Sequence, residues 1–226
     1  MLNLKPRWLV IGLAVTFFVC GSAAAAGLVA PGNDEPDVGT LITGVSDVPT
    51  TKDLPAGAAE RFGVLQEPRT DEDVLPPSAR ATGLAGANPK LAHLATSRPT
   101  GYRSFIVPAK NALCLISNSG GDACTNLHSI ELGRGGTQMS PCGVGLQRGM
   151  IRVEGFVEDG VSGLSVVHAN GTKTAPSINN NVYYFEFSAD GSIPERIEWE
   201  QAGERRSTSF EVPPAVLNVA CPPISK

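Results

Sequence analysis

The pattern of apolar and polar positions changes character three times along the chain. Between Trp8 and Ala30 (WLVIGLAVTFFVCGSAAAAGLVA) there is no charge at all, and Lys5 and Arg7 stand just before the run. As a helix, a run of that length would extend about 34 Å, enough for a hydrocarbon core of about 30 Å. The basic flank predicts a cytoplasmic N-terminus, with everything after the run exported. Its richest apolar part, Trp8–Val19, has the length of a signal-peptide core, and Ser22-Ala23-Ala24-Ala25-Ala26 offers small-x-small cleavage frames. Residues 1–30 therefore read as a membrane anchor or a cleaved signal, and both patterns are met. Phe17-Phe18-Val19 lacks the small residue expected beside a lipoprotein cysteine, so Cys20 reads as a small apolar residue within the helix.

Residues 31–57 show no period. They carry Pro31, Gly32, Pro36, Gly39, Gly44, Pro49, Pro55 and Gly57 among many acids. Such a stretch buries too little apolar surface to offset its ordering entropy and reads as a flexible acidic linker. From Ala58 a helical spacing begins: Ala59, Phe62 and Leu65 recur on one face until Pro68 stops the helix. Thr70 can cap a second turn, Asp71-Glu72-Asp73, whose acids suit the positive end of the helix dipole and read as a solvated first turn. Asn88-Pro89 opens a third helical piece with Leu91, Leu94 and Ala95 as its stripe and His93 on the polar side, at the surface. Residues 58–100 are thus expected to be a short helical segment.

From Tyr102 the period shortens to two. Strands are predicted at 102–107, 112–117, 151–157, 163–168, 182–187, 195–200 and 207–212, with turn signals at 108–111, 118–122 and Asn170-Gly171. Short strands at regular intervals, with no strand–helix alternation, predict a mainly β fold with a few short helices. A sandwich or open barrel over residues 101–226 is the expected architecture. Alternation sends Tyr183, Phe185 and Phe187 to one face and Tyr184 to the other. The first three read as core, although together with Trp199 these aromatics are also the candidates for a carbohydrate platform.

Composition narrows the function. The 226 residues carry 18 basic and 22 acidic side chains, a net charge of −4, and no basic excess exists to neutralise a phosphate backbone, so nucleic acid is not an expected partner. The charge is uneven: +2 in residues 1–30, −6 in residues 31–80, and zero over the remainder. Cys114, Cys124, Cys142 and Cys221 are an even count in what would be an oxidising compartment and form a candidate disulfide set. Of the three pairings, Cys114–Cys124 with Cys142–Cys221 is favoured, because Cys114 and Cys124 are symmetric about Ser119 in a predicted hairpin. No Cys-x-x-Cys pair or spaced His partner supports zinc, and neither a metal nor a cofactor is implied.

No His-Glu-x-x-His, Gly-x-Ser-x-Gly or Gly-x-x-x-x-Gly-Lys-Ser/Thr motif occurs. His168 ends a strand beside a turn. His128, near Asp122, Ser129 and Glu131, has the best local neighbourhood for a general base, but no nucleophile can be named with it. Asn170-Gly171-Thr172 fits a glycosylation sequon and equally a hairpin turn.

Three stretches carry a resemblance. Phe62-Gly63-Val64-Leu65-x-x-Pro68-Arg69-Thr70-x-x-Asp73-x-Leu75-Pro76 is one. Cys114-Leu115…Gly120-Gly121…Cys124 is the second. Gly155-Phe156-Val157-x-Asp159-Gly160-Val161 followed by Asn181-Val182-Tyr183 is the third. In these fragments, over about residues 55–200, the chain resembles exported proteins of actinobacteria that have no assigned activity. The resemblance implies export, anchoring and a β-rich domain; Cys142 and Cys221 are not part of it. The expected protein is a non-enzymatic cell-envelope component whose extracytoplasmic part binds a protein or glycan, with the membrane met through the N-terminal segment. The alternative is a secreted or periplasmic hydrolase with a site around His128.

Overall fold

The computed structural model describes residues 54–80, 87–119, 121–131, 133 and 136–219. All of them fall within one unit, Ser46–Lys226. The predicted membrane segment, nearly all of the linker and Cys221 lie outside the described residues. Among those described, no helix is long and apolar enough to cross a membrane.

The described part is mainly β, in three antiparallel sheets of four strands. The first sheet holds β1 (His93–Ser97), β2 (Arg103–Ala109), β3 (Ala112–Ser117) and β4 (Asp122–Thr125) as a simple meander. In the second, β5 (Gln138–Ser140) pairs with β6 (Met150–Phe156), then β10 (Val182–Ser188), then β9 (Ser177–Asn179). In the third, β12 (Glu204–Ser209) pairs with β11 (Pro194–Gln201), then β7 (Val161–His168), then β8 (Lys173–Thr174). Asn170-Gly171 forms the β7–β8 turn as its sequence indicates: Gly171 donates its N–H to the His168 carbonyl at 2.8 Å.

The first sheet is buried on both faces, which is why β2 and β3 are nearly continuous apolar runs. Ile106, Leu113 and Leu115 face a core shared with Phe62, Phe156 and Val182, while Phe105, Val107, Cys114 and Ile116 face Leu75, Ala79 and Ala92. The second and third sheets share another core. There Ile151, Val153, Tyr183, Phe185 and Phe187 meet Val166, Ile197 and Trp199.

Two local expectations are corrected. His93 is not a surface residue on a helix. After a single turn at Pro89–Leu91 capped by Asn88, the chain runs extended through His93–Ser97 and pairs with β2, and His93 is buried. The apolar spacing of Leu91, Leu94 and Ala95 suits a helix, but the open edge of β2 offers a hydrogen-bonded ladder that a short helix cannot match. Asp73 is not solvated either. Its carboxylate accepts from Thr70 N–H and Thr70 Oγ1, closing a capping box, and from Leu94 N–H at 2.6 Å, which ties the turn to β1.

The helix predicted from Ala59 onward also divides. Helix α1 (Ala58–Arg61) ends at Phe62, whose extended backbone drives its ring edge-on against Phe156, and Gly63–Gln66 continue as a 3-10 turn. Tertiary partners replace helical ones here: Gly63 N–H donates to Asp159 and Val64 N–H to Asn181. Leu54, at the end of the predicted linker, packs on the same core. The last predicted strand, 207–212, is shifted to Glu204–Ser209, and Phe210 beyond it turns into the core.

Candidate functional site

Cys114 and Cys124 face each other in the β3–β4 register and form a disulfide, their Cα atoms 4.0 Å apart. Ser117 N–H bonds the Gly121 carbonyl, so alternation makes 114/124 a non-hydrogen-bonded pair, the narrower kind. Cys142 is half-buried in the loop after β5 and is not a free thiol. Its expected partner Cys221 lies outside the described residues.

The three histidines do not assemble a site. His128 lies in the short helix Leu127–Glu131, its side chain 77 % exposed, with Glu131 Oε2 3.7 Å away and itself largely exposed. His168 is buried and held at both ring nitrogens, Nδ1 against the Ser192 carbonyl and Nε2 against Thr174 Oγ1. Burial pushes the His93 pKa down, against the pull of Asp73. Among the described residues no group of three or more His, Cys, Asp or Glu is placed to hold a metal. Trp199 and Tyr184 do not form a platform, because Trp199 packs in the core between the second and third sheets while Tyr184 faces the other way.

Two places gather aromatic and charged side chains. The first lies between β6 and the first sheet. Alternation places Arg152 and Glu154 on the β6 face opposite Ile151 and Val153, and both are almost completely buried. Arg152 lies flat over the Tyr102 ring, 3.6 Å from its centroid, and donates from Nη2 to the Val144 carbonyl at 2.9 Å. Tyr102 donates to Glu154 Oε2 at 2.5 Å, and Ser104 donates to Oε1 at 2.9 Å. On the outer side Tyr184 donates to Glu186 and stacks beneath Arg98. Burial raises the Glu154 pKa, more than the donors and Arg152 hold it down, and burial with the adjacent carboxylate raises Tyr102. This cluster has strong chemistry, but Arg152, Glu154 and Tyr102 are almost completely buried between the sheets.

The second place is a groove where the second and third sheets part. Phe156, Tyr183, Ile197 and Trp199 form its floor, and Ile130, Val161 and Leu164 its walls. Glu131, Glu158 and Gln201 stand at one rim. The deep slot holds about 50 Å³ and runs on, past Gly133, Thr137 and Thr208, into a shallower stretch of about 170 Å³ beside Met139, Ser209, Phe210 and Glu211. Gly133 has φ +65° and lies so close to Trp199 that a Cβ there would approach the indole to 2.7 Å. Tyr183 reaches the groove wall with its hydroxyl on Thr137, and burial pushes its pKa up to about 12. An apolar floor with a few polar groups at the margin is the common form of a binding site.

Neither assembly was foreseen. In Ile151-Arg152-Val153-Glu154 the alternation reads as a half-exposed strand, and nothing local shows that a second sheet covers its polar face. The groove residues come from seven separate stretches with no spacing between them to read. Comparison with family models, with curated proteins and with solved structures found no match.

Proposed function

We propose that the chain is a non-enzymatic extracytoplasmic binding module of the cell envelope, and that it binds through the groove over Trp199. The observation that carries this reading is the groove itself: a concave, aromatic-floored surface whose margin is polar and whose floor bears no nucleophile or base. Export is supported by the charge-free run Trp8–Ala30 behind Lys5 and Arg7, by the resemblance to exported actinobacterial proteins, and by the Cys114–Cys124 disulfide, a bond that persists in oxidising compartments. The burial of His93, the two ring hydrogen bonds of His168 and the open position of His128 weigh against the hydrolase alternative.

The test is a backbone and indole NMR titration of the full chain in micelles with phenol as a small apolar probe. Saturable shifts are expected at the Trp199 indole N–H and at the Thr137 and Thr208 amides. Shifts that gather around His128 instead, or that never saturate anywhere, would overturn the reading.

A further inference from the structure

The groove is bounded by two strand edges, and alternation shows which backbone groups those edges leave open. The β11–β12 hairpin turns through Ala202 and Gly203, both at positive φ, so Gln201 and Glu204 flank a two-residue loop as a hydrogen-bonded pair. Counting from there, residues 204, 206 and 208 point their N–H and C=O groups at β11. Phe210 keeps the same parity, its N–H donating to the Glu195 carbonyl. Arg205, Ser207 and Ser209 therefore point theirs away from the sheet. β12 is the edge of the third sheet, and these three residues are exposed.

The facing edge follows the same logic. Ala189 N–H bonds Gly149 and Val157 N–H bonds Asn181, which sets 151, 153 and 155 toward β10 and leaves 152 and 154 toward β5. Gln138 and Ser140 then pair with β6, and Met139 turns its backbone outward along the groove. Edge strands normally carry devices that stop another strand from adding. On β12 the charged outward position, Arg205, is held by Glu198 toward the hairpin end, while 207 and 209 are serines, and the apolar floor runs beneath them.

Charge states the kind of strand that would fit. Glu131 stands at the rim of the slot and Glu211 beside Ser209 in the shallower stretch; both are exposed, and among the described residues neither meets a Lys or Arg and no Lys or Arg lines either part. Resting on the binding-module reading, we infer that the groove takes an extended peptide segment of a partner protein, which adds as a strand to the open edge of β12. An apolar side chain of that segment enters the slot over Trp199 and its basic residues meet Glu131 and Glu211. The main chain supplies hydrogen bonds, and the slot and the acidic rim supply selectivity.

The probe is a fluorescein-labelled peptide of sequence Lys-Val-Lys-Phe-Lys-Val-Lys, blocked at its C-terminus, titrated with the full chain in micelles and read by anisotropy. Saturable binding is expected. A version N-methylated at alternate residues keeps every side chain but cannot form the ladder, and is expected to bind roughly tenfold or more weakly. Ser207→Pro removes an outward N–H without touching the β11 ladder and is expected to weaken the parent peptide similarly, with an unchanged thermal transition. Glu131→Gln with Glu211→Gln is expected to weaken it several-fold and to flatten its salt dependence. Equal binding of the N-methylated peptide, or indifference to Ser207→Pro, would overturn strand addition. Equal binding of the Glu-for-Lys peptide would overturn the charge assignment. Concentration-dependent dimerisation that blocks the peptide would show a second copy as the occupant and overturn the partner assignment. Absence of peptide binding while phenol still saturates at Trp199 would sink this inference and leave the binding-module reading standing.

Discussion

The cluster around Arg152 and the groove over Trp199 use the same ingredients, aromatic rings and a few charges, to opposite ends. In the cluster, two sheets close over the charges. Arg152 is sandwiched against Tyr102, and Glu154 takes two hydroxyl donors. In the groove the charges stay at the rim in water while the rings form the floor. The difference teaches where reactivity can be used. Arg152 and Glu154 have the more perturbed chemistry, yet their position between sheets makes them part of the fold. The less reactive groove is the surface a partner can reach.

The largest effect should come from opening the cluster on one side only. Arg152→Leu removes the guanidinium that lies over Tyr102, pairs with Glu186 and favours the buried Glu154 carboxylate, and should lower the unfolding free energy by about 3–5 kcal/mol, read from urea denaturation followed by circular dichroism. Arg152→Leu with Glu154→Leu should regain much of that, since Arg152 Nη1 and Gln138 Oε1 make no hydrogen bond even in the native cluster. A double variant as unstable as the single would show that the charges stabilise more than they cost.

Next in size is the disulfide. Cys114→Ser with Cys124→Ser releases a link across a sequence separation of 10 and should cost about 3 kcal/mol, with the Trp199 emission of the folded state unchanged. In the native protein, both thiols should resist maleimide until a reductant is added. Free reactivity of either would remove the disulfide's support for export.

Asp73→Asn should cost about 1 kcal/mol through the capping box. Burial opposes the carboxylate form there, but the Thr70 and Leu94 donors outweigh it, so the folded pKa lies below the ordinary aspartate value. That contribution is present above the ordinary value and is lost as pH falls through the lowered one. Glu154 has the opposite sign. Its raised pKa means that the folded protein keeps a proton the unfolded chain has already lost, so stability falls as pH rises from the ordinary glutamate range through the raised value. Glu154→Gln should remove that part of the slope, measured as the difference between wild-type and variant unfolding free energies from acid toward neutral pH. A wild-type curve parallel to that of the variant would mean that Glu154 titrates as an ordinary carboxylate.

The smallest effect on stability belongs to the groove. Thr208→Ala, at its margin, should change the unfolding free energy by less than about 0.5 kcal/mol while altering the phenol titration. A large loss of stability there would make the groove a structural seam and erase the contrast with the cluster.

Parts of the second and third sheets were legible because their signals are local. Asn170-Gly171 can only be a tight turn between extended runs, and Val182–Phe187 alternates cleanly enough to assign Tyr183, Phe185 and Phe187 to the core. The Cys114–Cys124 pair was legible for the same reason, a short symmetric hairpin. β1 was not: His93–Ser97 has a helical apolar spacing and becomes a strand only because β2 has an edge to offer. β5, β8 and β9 are two or three residues long, too short for any period to show.

By itself the sequence determined the β-rich character of the chain, the Asn170-Gly171 turn, the face on which each aromatic of β10 lies and the charge balance that disfavours nucleic acid. These follow from side-chain alternation, glycine and asparagine turn chemistry, and composition, all of which act over a few residues. The turn expected at 108–111, by contrast, is confined to Lys110 and Asn111 because Pro108 and Ala109 pair within β2. Tertiary structure alone decided that Arg152 and Glu154 are enclosed and that Trp199 floors a groove, because both depend on which sheet lies across from which. It also decided that the edges of β5 and β12 border the same opening. That information resides in contacts between residues tens of positions apart, where no short-range pattern can register it.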